Sequence, residues 1–313
     1  MIDLVHHYTT MDAFLNLLKG IKVISDKRCF VFRATNIFFL NDPQEFIYGQ
    51  NVLWEILKDV ENNKHIDDNL CLSTLFQRHK EKNEKEWFQE LRDTIHNQNE
   101  SPYVISFSRN KDSLPMWLNY GERGKGLCLS FIEYQGKITT DSSEPKDLID
   151  AKVEIYDQLG THDVNYDMES INNKDNHLRK LIEYLYDFYL NKAKVIKSDK
   201  LLEKLQIGCI RGFTEVTAPY IKTKDYEGER EVRLAKTIKD GIDGKSRDIH
   251  FRCNSKGHII PFIEIEIPTS QLKRVKIGPL ANRELSFRAI DMLRKRYGLD
   301  FDILQSDVNY REY

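Results

Sequence analysis

Strand signals crowd the two ends of this sequence and helix signals crowd its middle, and that order constrains the fold more than any single motif. Near the start, DLVHHY, IKVIS and CFVFRA read as strands. Near the end, EREVRLAK, RDIHFRC, IIPFIEIEI, VKIG and FDIL do the same. PYVISF, GLCLSF and DAKVEIYD are strand-like runs between them. TTMDAFLNLLKG predicts a helix, with a threonine cap, Asp12 in the first turn, Phe14, Leu15 and Leu18 on one face, and Gly20 past the end. In NDPQE, Asp42 can cap, Pro43 suits the first helical position and Glu45 completes a capping box, which opens a helix through FIYGQNVLWEILKDV. Residues 69–98 read as more helix, SLPMWLNYG as a short one, and NRELSFRAIDMLRKRYG as the last. Residues 157–175 are polar and loop-like. Two long helices then run to about Tyr220, with stripes such as Leu181, Ile182, Leu185 and Leu202, Leu205, Cys209. The order predicts one α+β domain over residues 1–313, carrying a helical insertion at about 157–220.

Composition narrows the class. A chain of 313 residues that is 40% hydrophobic can bury a sizeable core. Acidic and basic residues are interspersed and the net charge is -2, so no global field draws nucleic acid or membrane. The start, MIDLVHHYTT, lacks the basic and apolar regions of a signal peptide. No run approaches the roughly 20 apolar residues of a membrane helix. Cys29, Cys71, Cys128, Cys209 and Cys253 are odd in number and never spaced as CxxC, which argues against a disulfide framework or a zinc knuckle. The expectation is a soluble, reduced, cytoplasmic protein with no membrane partner.

Three remote segments carry the candidate chemistry. In YEGEREVR, read as a strand, Glu229, Glu231 and Arg233 share one face while Val232 and Leu234 share the other. Two carboxylates so placed can serve a positive centre, one polarising a hydroxyl and the other orienting a nucleophile. The plainer reading is a solvated face on which Arg233 neutralises its neighbours, and for this segment alone it is the stronger. In HHYTT, His7 ends a strand just before Thr9 and Thr10 open a helix, where a histidine can bond a ligand hydroxyl and the helix end favours anions. A histidine satisfied by backbone is the plainer alternative, and His6 points to the other face. In SFSRNKDSLPMWLNYGERGKGLCLSF, Ser106 and Ser108 share a strand face, and Trp117 and Tyr120 are neighbours on a short helix. Hydroxyls beside aromatic rings suit a flat heterocycle, although aromatics at helical spacing more often pack as core.

The order of these parts resembles the ADP-ribosyltransferase fold. HYTTMDAFLNLLKGIKV looks like the first NAD-binding segment of poly-ADP-ribose polymerases, and ISFSRNKDSLPMWLNYGERGKGLCLSF like their second. EREV resembles the E-x-E of the arginine-modifying and clostridial toxin branch, whose S-T-S stands where this chain has Ser106-Phe107-Ser108. The chain is also similar to an uncharacterised bacterial family that shares HYT, NDP-x-E, SFS, W-x-x-Y, a late E-x-E-x-R and an IGP strand. Here these are His7-Tyr8-Thr9, Asn41-Asp42-Pro43, Ser106-Phe107-Ser108, Trp117 and Tyr120, Glu229, Glu231 and Arg233, and Ile277-Gly278-Pro279.

The resemblance implies a split β-sandwich with helical insertions, and NAD as substrate with no metal. It implies that His7 bonds a ribose hydroxyl, that backbone at Tyr8 (where a glycine is common) holds the nicotinamide amide, and that Thr9 belongs to the same segment. Ser106 and Ser108 would shape the nicotinamide pocket, Trp117 or Tyr120 would stack on it, Glu231 would be catalytic and Glu229 would aid the acceptor. Protein or nucleic acid would be that acceptor, and a toxin or phage-defence role, with an antitoxin or defence-system partner, is the biology the family suggests. Two alternatives stay within NAD chemistry: a glycohydrolase with water as acceptor, and a non-catalytic module that binds NAD or ADP-ribose. A metal-dependent nuclease built on Asp225, Glu229 and Glu231 is the remaining alternative.

Overall fold

The computed structural model describes residues 3–40, 45–75, 102–133, 160–167, 171, 173, 176–236, 248–254 and 257–311. The Asn41-Asp42-Pro43 motif, DAKVEIYD and most of the helix read over 69–98 lie outside these.

The described chain is mixed α+β and is built on one eleven-stranded sheet. Its strands are β1 (Leu4–Thr9), β2 (Lys22–Ile24), β3 (Lys27–Asn36), β4 (Tyr103–Ser108), β5 (Leu127–Ile132), β6 (Thr161–Asp163), β7 (Glu231–Lys236), β8 (His250–Cys253), β9 (Ile259–Pro268), β10 (Leu272–Ile277) and β11 (Asp302–Gln305). The helices are α1 (Met11–Lys19), α2 (Glu45–Lys64), α3 (Leu114–Tyr120), α4 (His177–Ala193), α5 (Asp199–Thr217) and α6 (Arg283–Arg296). The main path through the sheet runs β11-β10-β5-β1-β4-β3-β9-β8, and only β10 and β11 pair in parallel. The two ends of the chain therefore meet in one sheet, as the strand order in the sequence predicts. One stretch departs from its reading. Residues 161–163, expected in a loop, form β6, because Thr161, His162 and Asp163 pair with Leu234, Arg233 and Val232 of β7. No local signal announces a three-residue strand whose partner is some 70 positions away.

Strand alternation divides the core into two layers. Ile105 and Phe107 of β4 and Val232 of β7 pack with Phe14 and Leu18 of α1 on one face of the sheet. Val104 and Ala235, which point the other way, pack with α2, α4 and α5. Among the described residues no helix is long and apolar enough to cross a membrane.

The sheet forks at β4. One edge of β4 pairs with β7 along its whole length, from Tyr103↔Lys236 to Ser108↔Glu231. The other edge is divided: β3 takes Tyr103 and Val104, and β1 meets it only at His6↔Ser108. Ile105, Ser106 and Phe107 lie between the two and have no strand partner on that edge among the described residues. β1 stays with β5 for six residues and β3 with β9 for seven, so each leaves β4 to follow its outer neighbour. The rings of His7, Phe32 and Phe107 fill the angle of the fork, with centroids 5.5 to 6.4 Å apart.

Candidate functional site

A cavity of about 570 Å³ opens in this fork. That volume suits a small organic ligand or a cofactor. His7, Tyr8 and Thr9 of β1, the first turns of α1, Ser106 and Phe107 of β4, Tyr120, Tyr226, and the group Lys222, Glu229, Glu231 and Arg233 all border it. All three remote segments of the sequence reading thus contribute to one wall.

On the β1 side, His7 Nδ1 lies 3.0 Å from the Ser106 carbonyl oxygen. A carbonyl only accepts, so the proton is on Nδ1 and Nε2 carries a lone pair. Burial outweighs the Ser106 bond and holds the imidazole below its ordinary pKa. His7 is therefore a neutral acceptor spanning the fork. His6 faces the other way, bonds the Ser130 hydroxyl at 2.9 Å, and is pulled down to about 4 by burial and by Lys276 and Arg274. Thr10 caps α1 by accepting from the Ala13 N–H at 3.0 Å, as the sequence suggests.

The acidic group is arranged differently from its reading as one strand face. β7 starts at Glu231, whereas Glu229 ends a 3-10 turn, Lys224–Glu229. Arg230, between them, has a left-handed backbone (φ 43°, ψ 53°), a conformation costing about 1–2 kcal/mol for a non-glycine residue. This kink breaks the alternation, and it is the kink, not strand periodicity, that turns both carboxylates toward the same cation. Lys222 Nζ is 2.7 Å from Glu229 Oε2 and 3.2 Å from Glu231 Oε2. Arg233 grips Glu231 with two bonds, Nε to Oε1 at 2.8 Å and Nη2 to Oε2 at 3.0 Å, and donates through Nη1 to the Pro219 carbonyl at 2.8 Å. Burial alone would raise the Glu231 pKa. Arg233 and Lys222, with a bond from Ser106, outweigh it and hold the carboxyl at about 2. Burial pulls Lys222 down, and Glu231 and Glu229 more than restore it. Arg233 is 1% exposed, so the solvated-face reading of this segment fails. Four charges instead form a neutral, buried cluster; Arg233 was marked in the sequence by its alternation with Glu231, whereas Lys222 carried no signal separable from an ordinary surface run.

The turn that carries Glu229 is pinned by the residues after SFS. Ser108 Oγ donates to the Glu229 carbonyl at 2.5 Å, and the Asn110 amide bonds the Gly228 carbonyl at 2.8 Å. The Arg109 N–H reaches the Arg230 carbonyl at 2.9 Å. Ser108 is wholly buried in this role and does not border the cavity, so only Ser106 of the serine pair faces it. The aromatic pair divides in the same way. Tyr120 OH donates to Glu229 Oε1 at 2.6 Å at the cavity wall; burial and then Glu229 raise its pKa. Trp117 has no exposed surface, packs edge-on to Tyr8 at 4.9 Å and bonds Asp112 through its indole N–H at 2.7 Å. Trp117 is a core residue and no wall for a ligand. The Tyr8 side chain belongs to the same cluster and bonds the Asn110 carbonyl at 2.9 Å, which leaves its backbone as the part nearest the cavity edge. Backbone geometry, not ligand binding, explains the GKG that follows: Gly124 has φ +87°, and a Cβ at Gly126 would lie 2.2 Å from the Thr9 carbonyl oxygen.

Asp225 does not border the cavity with Glu229 and Glu231. Among the described residues no group of three or more His, Cys, Asp or Glu is placed to hold a metal ion.

A family model described as a protein of unknown function, DUF2971, matches residues 116–234. The match takes in Tyr120, Lys222, Glu229, Glu231 and Arg233 and leaves out His7. No curated protein and no solved structure matches the chain.

Proposed function

We propose that the fork binds NAD and that the chain breaks the nicotinamide–ribose bond, transferring ADP-ribose to a protein or nucleic-acid acceptor. The observation that carries this reading is the convergence of His7, Ser106, Tyr120 and the Glu229–Glu231 pair on one cavity, from three segments remote in the sequence. The order of these parts along the chain is what resembles ADP-ribosyltransferases. In this reading Nε2 of His7 accepts from a ribose hydroxyl, and Tyr120 and Phe107 flank the nicotinamide. Departure of nicotinamide builds positive charge on the ribose. A carboxylate already ionised and fixed in place stabilises that charge without reorganising. Glu231, held at about 2, has that character. Glu229, less buried than Glu231, would orient the acceptor nucleophile.

One observation favours a second reading. Both oxygens of Glu231 are already occupied by Arg233, and one also by Lys222. A non-catalytic module that binds NAD or ADP-ribose needs no free carboxylate oxygen, whereas the transferase needs Lys222 to yield its contact when the ribose arrives.

Incubation with doubly labelled NAD and candidate acceptors separates the two. Released nicotinamide together with labelled acceptor supports the transferase, and release without transfer supports hydrolysis. Tight binding without release supports the module. Turnover that survives Glu231→Ala in a folded variant would remove the catalytic assignment.

A further inference from the structure

The half of the fork away from the acidic pair carries two arginines, Arg33 and Arg252, that form no ion pair among the described residues. Val31, Arg33 and Thr35 alternate along β3 and share the face that borders the cavity. Arg33 lies over the Phe262 ring, 5.2 Å from its centroid. Arg252, from β8, donates through Nη2 to Thr35 Oγ1 at 3.1 Å, and its Nε is buried without a hydrogen-bond partner. Thr35 and Arg33 are two residues apart, roughly 6.6 Å along a strand, so the two guanidinium groups are neighbours. Burial and the adjacent Arg33 both push the Arg252 pKa below its ordinary value, the signature of like charges held together. Neither arginine has an ion pair among the described residues. Of the other charges bordering this region, Glu264, which lies across from Arg33 on β9, is taken by Lys22 at 2.6 Å, and Asp12 on α1 accepts from the Asn16 amide at 3.1 Å.

We infer that Arg33 and Arg252 form a phosphate subsite, which takes a phosphate group of a nucleotide lying along the fork. A phosphate supplies what the pair lacks: a negative charge between two cations and an acceptor for the buried Nε–H of Arg252. Phe262 backs Arg33, and the bond to Thr35 orients Arg252 before the ligand arrives. The assignment deepens the NAD reading and rests on it for the choice of nucleotide, whereas the phosphate chemistry stands on the arginines alone.

Titration calorimetry of the full chain with adenosine, ADP, ADP-ribose, NAD and inorganic pyrophosphate tests it, using the wild type, Arg33→Gln, Arg252→Gln and the charge-conserving Arg252→Lys. Among the described residues neither arginine has an ion pair to lose, so the variants are expected to fold, which circular dichroism checks. ADP should bind the wild type roughly tenfold to a hundredfold more tightly than adenosine. That gap should collapse in either glutamine variant and be partly kept in Arg252→Lys. An unchanged gap in Arg33→Gln and Arg252→Gln, or no binding of any phosphate compound at millimolar concentration, overturns the subsite. Arginine-dependent binding of pyrophosphate with no binding of adenosine, ADP-ribose or NAD keeps the subsite and overturns the NAD reading.

Discussion

Glu231→Gln strips one charge from the buried cluster while keeping the shape of the side chain. In the folded protein the Glu231 carboxyl sits at about 2 against an ordinary 4.5. At about 1.4 kcal/mol for each pH unit, that difference corresponds to about 3 kcal/mol of stability at neutral pH. A second route gives the same size. Removing one partner of a buried ion pair costs about 3–5 kcal/mol, because the survivor is left charged and dry. Here the survivor is Arg233, 1% exposed, which loses the carboxylate that takes two of its bonds. Lys222 suffers less, since it keeps Glu229 at 2.7 Å. The sign follows from the direction of the shift. A depressed carboxyl contributes fully above its unfolded value and loses that contribution as pH falls through the folded one. The advantage of the wild type over Glu231→Gln should therefore be about 3 kcal/mol at pH 7, begin to shrink near pH 4.5 and vanish toward pH 2. Paired denaturant titrations at several pH values measure it, and the other acidic groups cancel in the difference. A loss under about 1 kcal/mol at pH 7, or a difference independent of pH down to 2, would refute the claim that this cluster is water-excluded and ionised.

Three further outcomes are expected. Tyr120→Phe removes the bond to Glu229 and should cost about 1.5 kcal/mol in a thermal or denaturant unfolding assay, and nicotinamide release from NAD should fall by more than that stability change explains. Trp117→Phe should destabilise by about 2 kcal/mol, since it loses volume and the bond to Asp112, yet leave nucleotide affinity within about twofold by calorimetry. Gly126→Ala should cost at least about 2 kcal/mol, or abolish folding, because the new Cβ meets backbone of both β1 and the turn at Gly121; a variant as stable as the wild type by thermal unfolding would contradict the packing described.

Much of the architecture was legible one segment at a time. The threonine cap and closing glycine of α1, the stripes of α4 and α5 and the late strands were all marked by period and by turn residues, because those signals are local. The acidic segment was legible as chemistry but not as geometry. Its spacing suggested strand alternation, and only the left-handed backbone at Arg230 shows how Glu229 and Glu231 come to share a cation. Trp117 and Tyr120 look alike in sequence, three apart on one helix. One packs on Tyr8 and the other reaches Glu229, a difference set by which neighbour each face meets.

The amino-acid order already dictated which groups are available and which stretches become strand or helix, since backbone preference and side-chain periodicity act over a few residues. The fork itself was decided only in three dimensions. β1 and β3 part because each holds to its outer neighbour along more residues than to β4. That competition between long-range pairings leaves no trace in either strand's own residues. The same divergence opens the cavity on which the three remote segments meet.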